Sequence, residues 1–245
     1  MLAIISGSGL TTLSNLDVSR REVVRTPYGE PSGALVFGQI CGRPAMFLPR
    51  HGYGHTIPPH LVNYRANMHA LEASGATRVI SVASVGGIRA DLGPGTLVVP
   101  DQIIDYTWGR EMTFQSGGDG PVIHVDFTEP YDGAVRAQML EVARRIGETV
   151  FDGAVYATTQ GPRLETAAEI NRMQGDGADI VGMTGMPEAG LARELEVPYA
   201  ALCVVANWAA GRGDSRHGIK FEELEAVLQE AMTRVRRIIE GVCGA

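Results

Sequence analysis

At 245 residues, with 44% apolar and 20% charged positions, the chain has the length and make-up of a folded protein with a sizeable core, which excludes disordered and fibrous classes. A net charge of −7 leaves no basic surplus to cover a phosphate backbone, so nucleic acid is excluded as a partner, and an anionic ligand would need a local cationic pocket. Cys41, Cys203 and Cys243 form neither a disulfide framework nor a C-x-x-C metal site and fit a reducing cytoplasm, while the opening run from Met1 to Gly7 is too short for a signal peptide or a membrane span.

Apolar runs predict strands over residues 2–5, 34–40, 44–48, 78–85, 95–99, 153–158, 180–183 and 199–206. Helix-period segments lie between several of them, at 62–73, 134–146, 166–173, 187–195 and 221–239. The stretch 35–48 turns at Cys41-Gly42 and reads as a hairpin; the rest alternates as α/β units. The expected architecture is one domain over residues 1–245, with a central mixed, mostly parallel sheet flanked by helices. Polar loops at 115–120 and 215–218 do not resemble interdomain linkers, and no internal repeat is present.

Candidate chemistry gathers where strands end. Ser6-Gly7-Ser8-Gly9 follows the first strand and offers amides and hydroxyls to an oxyanion, or is a plain glycine turn; it has neither the dinucleotide nor the Walker spacing. Arg50-His51-Gly52-Tyr53-Gly54-His55 carries two histidines four apart. The glycines between them and the missing Glu argue against a zinc helix, whereas a planar guanidinium fork beside an imidazole suits phosphate. The turns Ser84-Val85-Gly86-Gly87 and Gly182-Met183-Thr184-Gly185 offer more donors at what is expected to be the same sheet edge.

Glu165 precedes a predicted helix, where it either complements the helix dipole or supplies an acceptor to a ligand. Asn207 follows the buried run Val204-Val205-Ala206 and is either a loop residue past the strand end or a ligand contact at the carboxyl edge of the sheet. If the two meet, a carboxylate and an amide together would match the edge of a heterocycle.

Taken in order, Ser6-Gly7-Ser8-Gly9-Leu10, Pro49-Arg50-His51-Gly52, residues 62–67, Gln160-Gly161-Pro162-Arg163 and Met183-Thr184-Gly185-Met186-Pro187-Glu188 resemble the trimeric purine nucleoside phosphorylases and methylthioadenosine phosphorylases over nearly the whole chain. The resemblance implies the nucleoside phosphorylase fold, a homotrimer, and cleavage of a purine nucleoside by inorganic phosphate as co-substrate, with no metal or organic cofactor. It implies that Ser8, Arg50, His51, Ser84 and Thr184 hold phosphate, that Met183 meets the ribose hydroxyls through its backbone, and that His55 reaches the 5′ pocket of a neighbouring subunit.

The resemblance also places Glu165 and Asn207 at the base. Hypoxanthine presents N1–H as a donor and O6 as an acceptor, whereas adenine presents an unprotonated N1 and a donating amino group. A mismatched buried polar group costs about 1–3 kcal/mol, so this pair would favour 6-oxopurines. Ala209 stands where adenine-selective relatives carry a carboxylate. At the 5′ end, Phe221 before Glu222-Glu223 matches the place of a histidine in the inosine and guanosine enzymes, and an apolar residue there suits a methylthio group. Leu164 replaces the aromatic residue usual beside the base.

The expected substrate is therefore 5′-methylthioinosine, with general inosine and guanosine phosphorolysis, methylthioadenosine phosphorolysis and a non-catalytic nucleoside sensor as alternatives. In the expected mechanism, phosphate attacks C1′ while Asn207 stabilises N7 and O6 of the departing base, Glu165 anchors N1–H, and His51 orients phosphate.

Overall fold

The first strand, β1 (Leu2–Ser6), lies between two parallel neighbours, β4 (Arg43–Pro49) and β5 (Arg78–Gly87), and all five of its residues are buried. A strand covered on both faces has no reason to alternate, which is why this segment is a continuous apolar run. The computed structural model describes residues 1–10, 13–115, 117 and 121–244, without the side chains of Phe221 and Glu223.

On one flank of β1, β4 pairs antiparallel with β3 (Leu35–Ile40), as the hairpin reading expected. Cys41 and Gly42 both take positive φ at this turn, the geometry that matches the twist of a two-residue hairpin. The outermost strand, β2 (Asp17–Glu22), was not predicted: its sequence DVSRRE is exposed throughout and shows no apolar alternation. Charged, solvated strands of this kind suit a sheet edge, where they discourage pairing with another chain.

On the other flank, β11 (Tyr199–Trp208) runs parallel to β5, followed by the short strands β6 (Leu97–Val99) and β8 (Val150–Asp152). At the far end of β5, β10 (Ile180–Gly182) pairs antiparallel with Gly86 and Gly87 and continues to β9 (Val155–Thr158) and β7 (Gln102–Asp105). Among the described residues, six of the ten pairings are parallel, so the eleven-stranded sheet is mixed and mostly parallel, as expected. Neither β7 nor β8 was predicted, because four and three residues are too few to establish a period.

Among the described residues the five α-helices are α1 (Tyr64–Ala73), α2 (Gly133–Ile146), α3 (Ala167–Gly175), α4 (Glu188–Glu194) and α5 (Phe221–Gly244). Alternate residues of β1 serve two apolar layers. Ala3 and Ile5 pack in a cluster with Met68 and Leu71 of α1 and Leu191 of α4, whereas Leu2 and Ile4 join Val135 and Met139 of α2 and Val235 and Ile239 of α5. The last helix outruns its predicted end at 239 because Val242 and Cys243 are still buried against that second layer. No helix among the described residues is long and apolar enough to cross a membrane.

Two departures bear on the site. Gly86 and Gly87 belong to β5 itself and are not a turn beyond it. Their lack of side chains answers to packing, since a Cβ on Gly87 would lie 1.9 Å from the Leu92 carbonyl oxygen and one on Gly86 would lie 3.3 Å from Ala209 Cα. Asn207 likewise lies within β11, not in a loop past its end, and the ladder with β5 slips by one residue between Val205 and Asn207. This bulge leaves Ala206 without a partner and sets Asn207 opposite Gly86. The polar loop at 115–120 falls largely outside the described residues, including Ser116 and Gly118 to Gly120.

Candidate functional site

The carboxyl ends of β1, β4, β5, β10 and β11 open into one cavity of about 440 Å³, closed by the loop after β9 and by α5. This is a volume suited to a small organic ligand. Ser8, Arg50, His51, His55, Ser84, Leu164, Glu165, Met183, Thr184 and Asn207, singled out on chemical grounds or by resemblance, all line it.

Polar donors gather around the turn that follows β1. The Ser84 hydroxyl donates to the Ser8 carbonyl at 3.1 Å, tying the turn after β1 to β5. Gly7 is required inside that turn, where a Cβ would come within 3.0 Å of the Val82 carbonyl oxygen and 3.2 Å of Arg50 Nη1. Arg50 is wholly buried. Its Nε and Nη2 donate to the two carboxylate oxygens of Glu188 at 2.7 and 2.9 Å, Nη2 donates also to Ser81 Oγ at 2.6 Å, and Nη1 donates to the Val82 carbonyl at 3.2 Å. A guanidinium has five N–H groups, so one on Nη1, beside Gly7, is left for a ligand.

His51 Nδ1 donates to the Ile57 carbonyl at 2.8 Å, which fixes the tautomer of the neutral ring and leaves Nε2 as an acceptor. Burial and the neighbouring Arg50 charge push its pKa down to about 4. His51 is thus neutral at pH 7 and can accept a hydrogen bond from a protonated phosphate oxygen. His55 lies on the same side, its ring 4.8 Å from that of His51 and its Nε2 3.4 Å from Ser8 Oγ. In the single chain it therefore borders its own cavity. Among the described residues no group of three or more His, Cys, Asp or Glu side chains is arranged to hold a metal ion.

Glu165 and Asn207 line the same cavity. Helix α3 is capped by Thr166 and Glu169: Thr166 Oγ1 accepts from the Glu169 N–H at 3.1 Å, and Glu169 Oε2 accepts from the Thr166 N–H at 2.8 Å. This reciprocal cap leaves Glu165, one residue earlier, free of helix duty. Its carboxylate instead accepts from the Thr159 hydroxyl at 2.6 Å and borders the cavity. Asn207 Nδ2 donates to the Trp208 carbonyl at 2.6 Å, which fixes the amide plane and leaves the second Nδ2–H and Oδ1 for a ligand. Ala209 does not line this cavity; it is buried in an apolar cluster with Ile170 and Val181.

Ile57, Pro58, Val85, Leu164, Leu224 and Leu228 give the cavity an apolar wall. Phe221, expected here, begins α5, but its side chain lies outside the described residues. Leu224 and Leu228 of the same helix were missed by sequence reasoning. Their spacing of four, on the face that begins at Phe221, was the available signal.

Glu188 and Arg110 were also missed. Glu188 Oε1 accepts from Arg50, Ser81 Oγ and Tyr199 OH, so this fully buried carboxylate is saturated. Arg110 follows β7 and is 9% exposed, so nearly all of it is buried. It donates to the carbonyls of Thr159, Gln160, Met183 and Met186 and lies over the Tyr64 ring. Donors facing backbone carbonyls leave no trace in a linear sequence.

The family model described as the phosphorylase superfamily matches residues 1–243. A Xanthomonas campestris protein named "Probable S-methyl-5'-thioinosine phosphorylase" is 52% identical over 226 residues, covering 92% of this chain and 90% of the relative. A Dictyoglomus turgidum protein named "Probable 6-oxopurine nucleoside phosphorylase" is 43% identical over 241 residues, covering 98% and 90%. Among solved structures, methylthioadenosine phosphorylase from Schistosoma mansoni in complex with adenine superposes with a TM-score of 0.93 at 32% identity, over 99% of this chain and 90% of that one.

Proposed function

The chain belongs to the phosphorylase superfamily, and we propose that it cleaves 5′-methylthioinosine with inorganic phosphate to hypoxanthine and 5-methylthioribose 1-phosphate. The observation that carries this reading is that Glu165 and Asn207 line the same cavity as Ser8, Arg50, His51 and Thr184. Anion donors together with a carboxylate and an amide in one cavity fit the two reactants of phosphorolysis. The apolar wall that includes Leu224 and Leu228 favours a methylthio group over a hydroxyl at the 5′ position.

Phosphate is held by the hydroxyls of Ser8 and Thr184, the spare Nη1–H of Arg50, Nε2 of His51 and the segment of Ser84, whose own hydroxyl proton is committed to the Ser8 carbonyl. It attacks C1′ as the glycosidic bond loosens, and negative charge spreads onto the leaving purine. Glu165 accepts from N1–H, and Asn207 stabilises N7 and O6, a contact that strengthens as the charge develops. Met183 meets the ribose. Leu164 covers the base without aromatic stacking.

The reaction needs no metal or organic cofactor in this reading. The working form is a cytoplasmic homotrimer in which His55, besides bordering its own cavity, reaches toward a neighbouring one. A panel of 5′-methylthioinosine, inosine, 5′-methylthioadenosine and adenosine, each with and without phosphate and followed by ultraviolet absorbance, tests the proposal. The expected result is phosphate-dependent base release that is fastest with 5′-methylthioinosine. Equal or faster turnover of the adenine compound would overturn the reading of Glu165, and no phosphate-dependent release from any purine nucleoside would overturn the enzyme in favour of a sensor.

A further inference from the structure

Two loops contribute side by side to the lining of the cavity. The loop after β9 runs from Thr159 through Glu165, and the loop after β10 holds Met183, Thr184 and Met186. Neither loop contains the residue that joins them. That residue is Arg110, more than 45 positions from either: Nη2 donates to the Thr159 and Gln160 carbonyls at 3.2 and 2.9 Å, and Nη1 donates to the Met183 and Met186 carbonyls at 2.9 and 2.5 Å. Its Nε donates to Gln160 Oε1 at 3.2 Å, and Nη1 lies 3.2 Å from Tyr64 OH.

Every N–H of this guanidinium is therefore engaged, almost entirely by carbonyl oxygens. Among the described residues no carboxylate forms an ion pair with Arg110. A cation buried without a counter-ion is costly, and its planar fork spans two separate loops in a way that an ammonium group does not. We infer that Arg110 is a positioning residue for phosphorolysis, a cross-link that fixes the base-recognising loop against the loop of Met183 and Thr184.

The path is short on both sides. Thr159, whose carbonyl Arg110 holds, donates its hydroxyl to Glu165 at 2.6 Å. Met183 and Met186, whose carbonyls it also holds, flank Thr184. Loosening this link leaves each loop able to make its own contacts with the reactants and degrades their mutual alignment, which the transition state needs more than either ground state does.

This inference rests on the proposed phosphorolysis, so the parent enzyme is first assayed with 5′-methylthioinosine and phosphate; an inactive parent counts against the function and not against Arg110. In an active background, Arg110→Lys keeps the charge and loses the fork, and Arg110→Ala removes both. Expected for Arg110→Lys is a kcat lower by about a hundredfold, with the KM values for nucleoside and phosphate changed by no more than about threefold. For Arg110→Ala, millimolar guanidinium restores part of the lost kcat, a response that a general loss of stability does not give. A Lys variant with kcat within about threefold of the parent, or a loss lying wholly in KM, would overturn the assignment.

Discussion

Arg50 and Glu188, 138 residues apart, form a two-point ion pair in which neither side chain has any exposure to solvent. Most of the donors of a residue expected to hold phosphate are thus committed to the protein, and the orientation of the remaining one depends on Glu188. Burial alone would lower the Arg50 pKa, and the adjacent carboxylate more than reverses this, so the guanidinium stays charged. Removing one partner of such a pair leaves an uncompensated buried charge. Glu188→Ala is expected to lose about 3–5 kcal/mol of stability, read from denaturant unfolding. Glu188→Gln keeps the shape, and should raise the KM for phosphate at least about tenfold with less effect on the KM for nucleoside.

Asn207→Ala removes the amide proposed to face the leaving base. Loss of one preorganised donor to a developing anion typically lowers kcat by about a hundredfold or more, and the same is expected here with 5′-methylthioinosine. Steady-state kinetics at saturating phosphate check this. An unchanged kcat/KM would remove Asn207 from the mechanism.

His51 gives a pH signature. Its pKa falls from an ordinary value near 6.5 in the unfolded chain to about 4 in the fold, because it is buried beside Arg50, with His55 adding to the effect. Between these values the unfolded state binds the extra proton and the folded state does not, so stability rises with pH across this window and is lost as pH falls from about 6.5 toward 4. Thermal unfolding of His51→Gln should be less sensitive to pH than that of the parent over this range. Equal sensitivity would refute the assignment.

The apolar wall makes a prediction about selectivity. Leu228→Ser places a hydroxyl where the 5′ substituent is proposed to lie. The ratio of kcat/KM for 5′-methylthioinosine to that for inosine is expected to fall by about tenfold or more, the scale of one apolar contact. A ratio that does not move would place the methylthio group elsewhere.

Gly87→Ala tests the packing reading of the glycine pair in β5. The added Cβ would lie 1.9 Å from the Leu92 carbonyl oxygen, so the backbone must shift, at a cost of about 1–3 kcal/mol or more in stability. A fully stable variant with impaired phosphate binding would instead favour the anion-turn reading.

The sequence was legible where chemistry-bearing residues sit at the ends of apolar runs. Ser8, His51, Thr184 and Asn207 were all found that way, and the cavity brings them together. Glu165 was ambiguous until the cap formed by Thr166 and Glu169 was seen to relieve it of helix duty. Edge strand β2 was illegible because a solvated strand carries no hydrophobic period, and the roles of Arg110 and Glu188 were illegible because their partners are backbone carbonyls and residues remote in the chain. The end of β11 was misread for a different reason: Val204, Val205 and Ala206 look like an ordinary run, and nothing in their identities announces that the third has no partner.

That unpaired residue sets the register of the amide proposed to read the base. In a regular ladder of the same length, Ala206 would sit opposite Gly86 and Asn207 opposite Gly87, one place further along and on the opposite parity from Ser84. The amide reaches the cavity by count as much as by kind. Deleting one residue between 203 and 206 would absorb the bulge and leave Asn207 opposite Gly86, whereas inserting one with the bulge kept would move it on to Gly87 and turn its amide to the other face. In the proposed function, recognition of the base thus depends partly on a length, and a one-residue insertion in β11 should harm activity more than swaps among small apolar residues there.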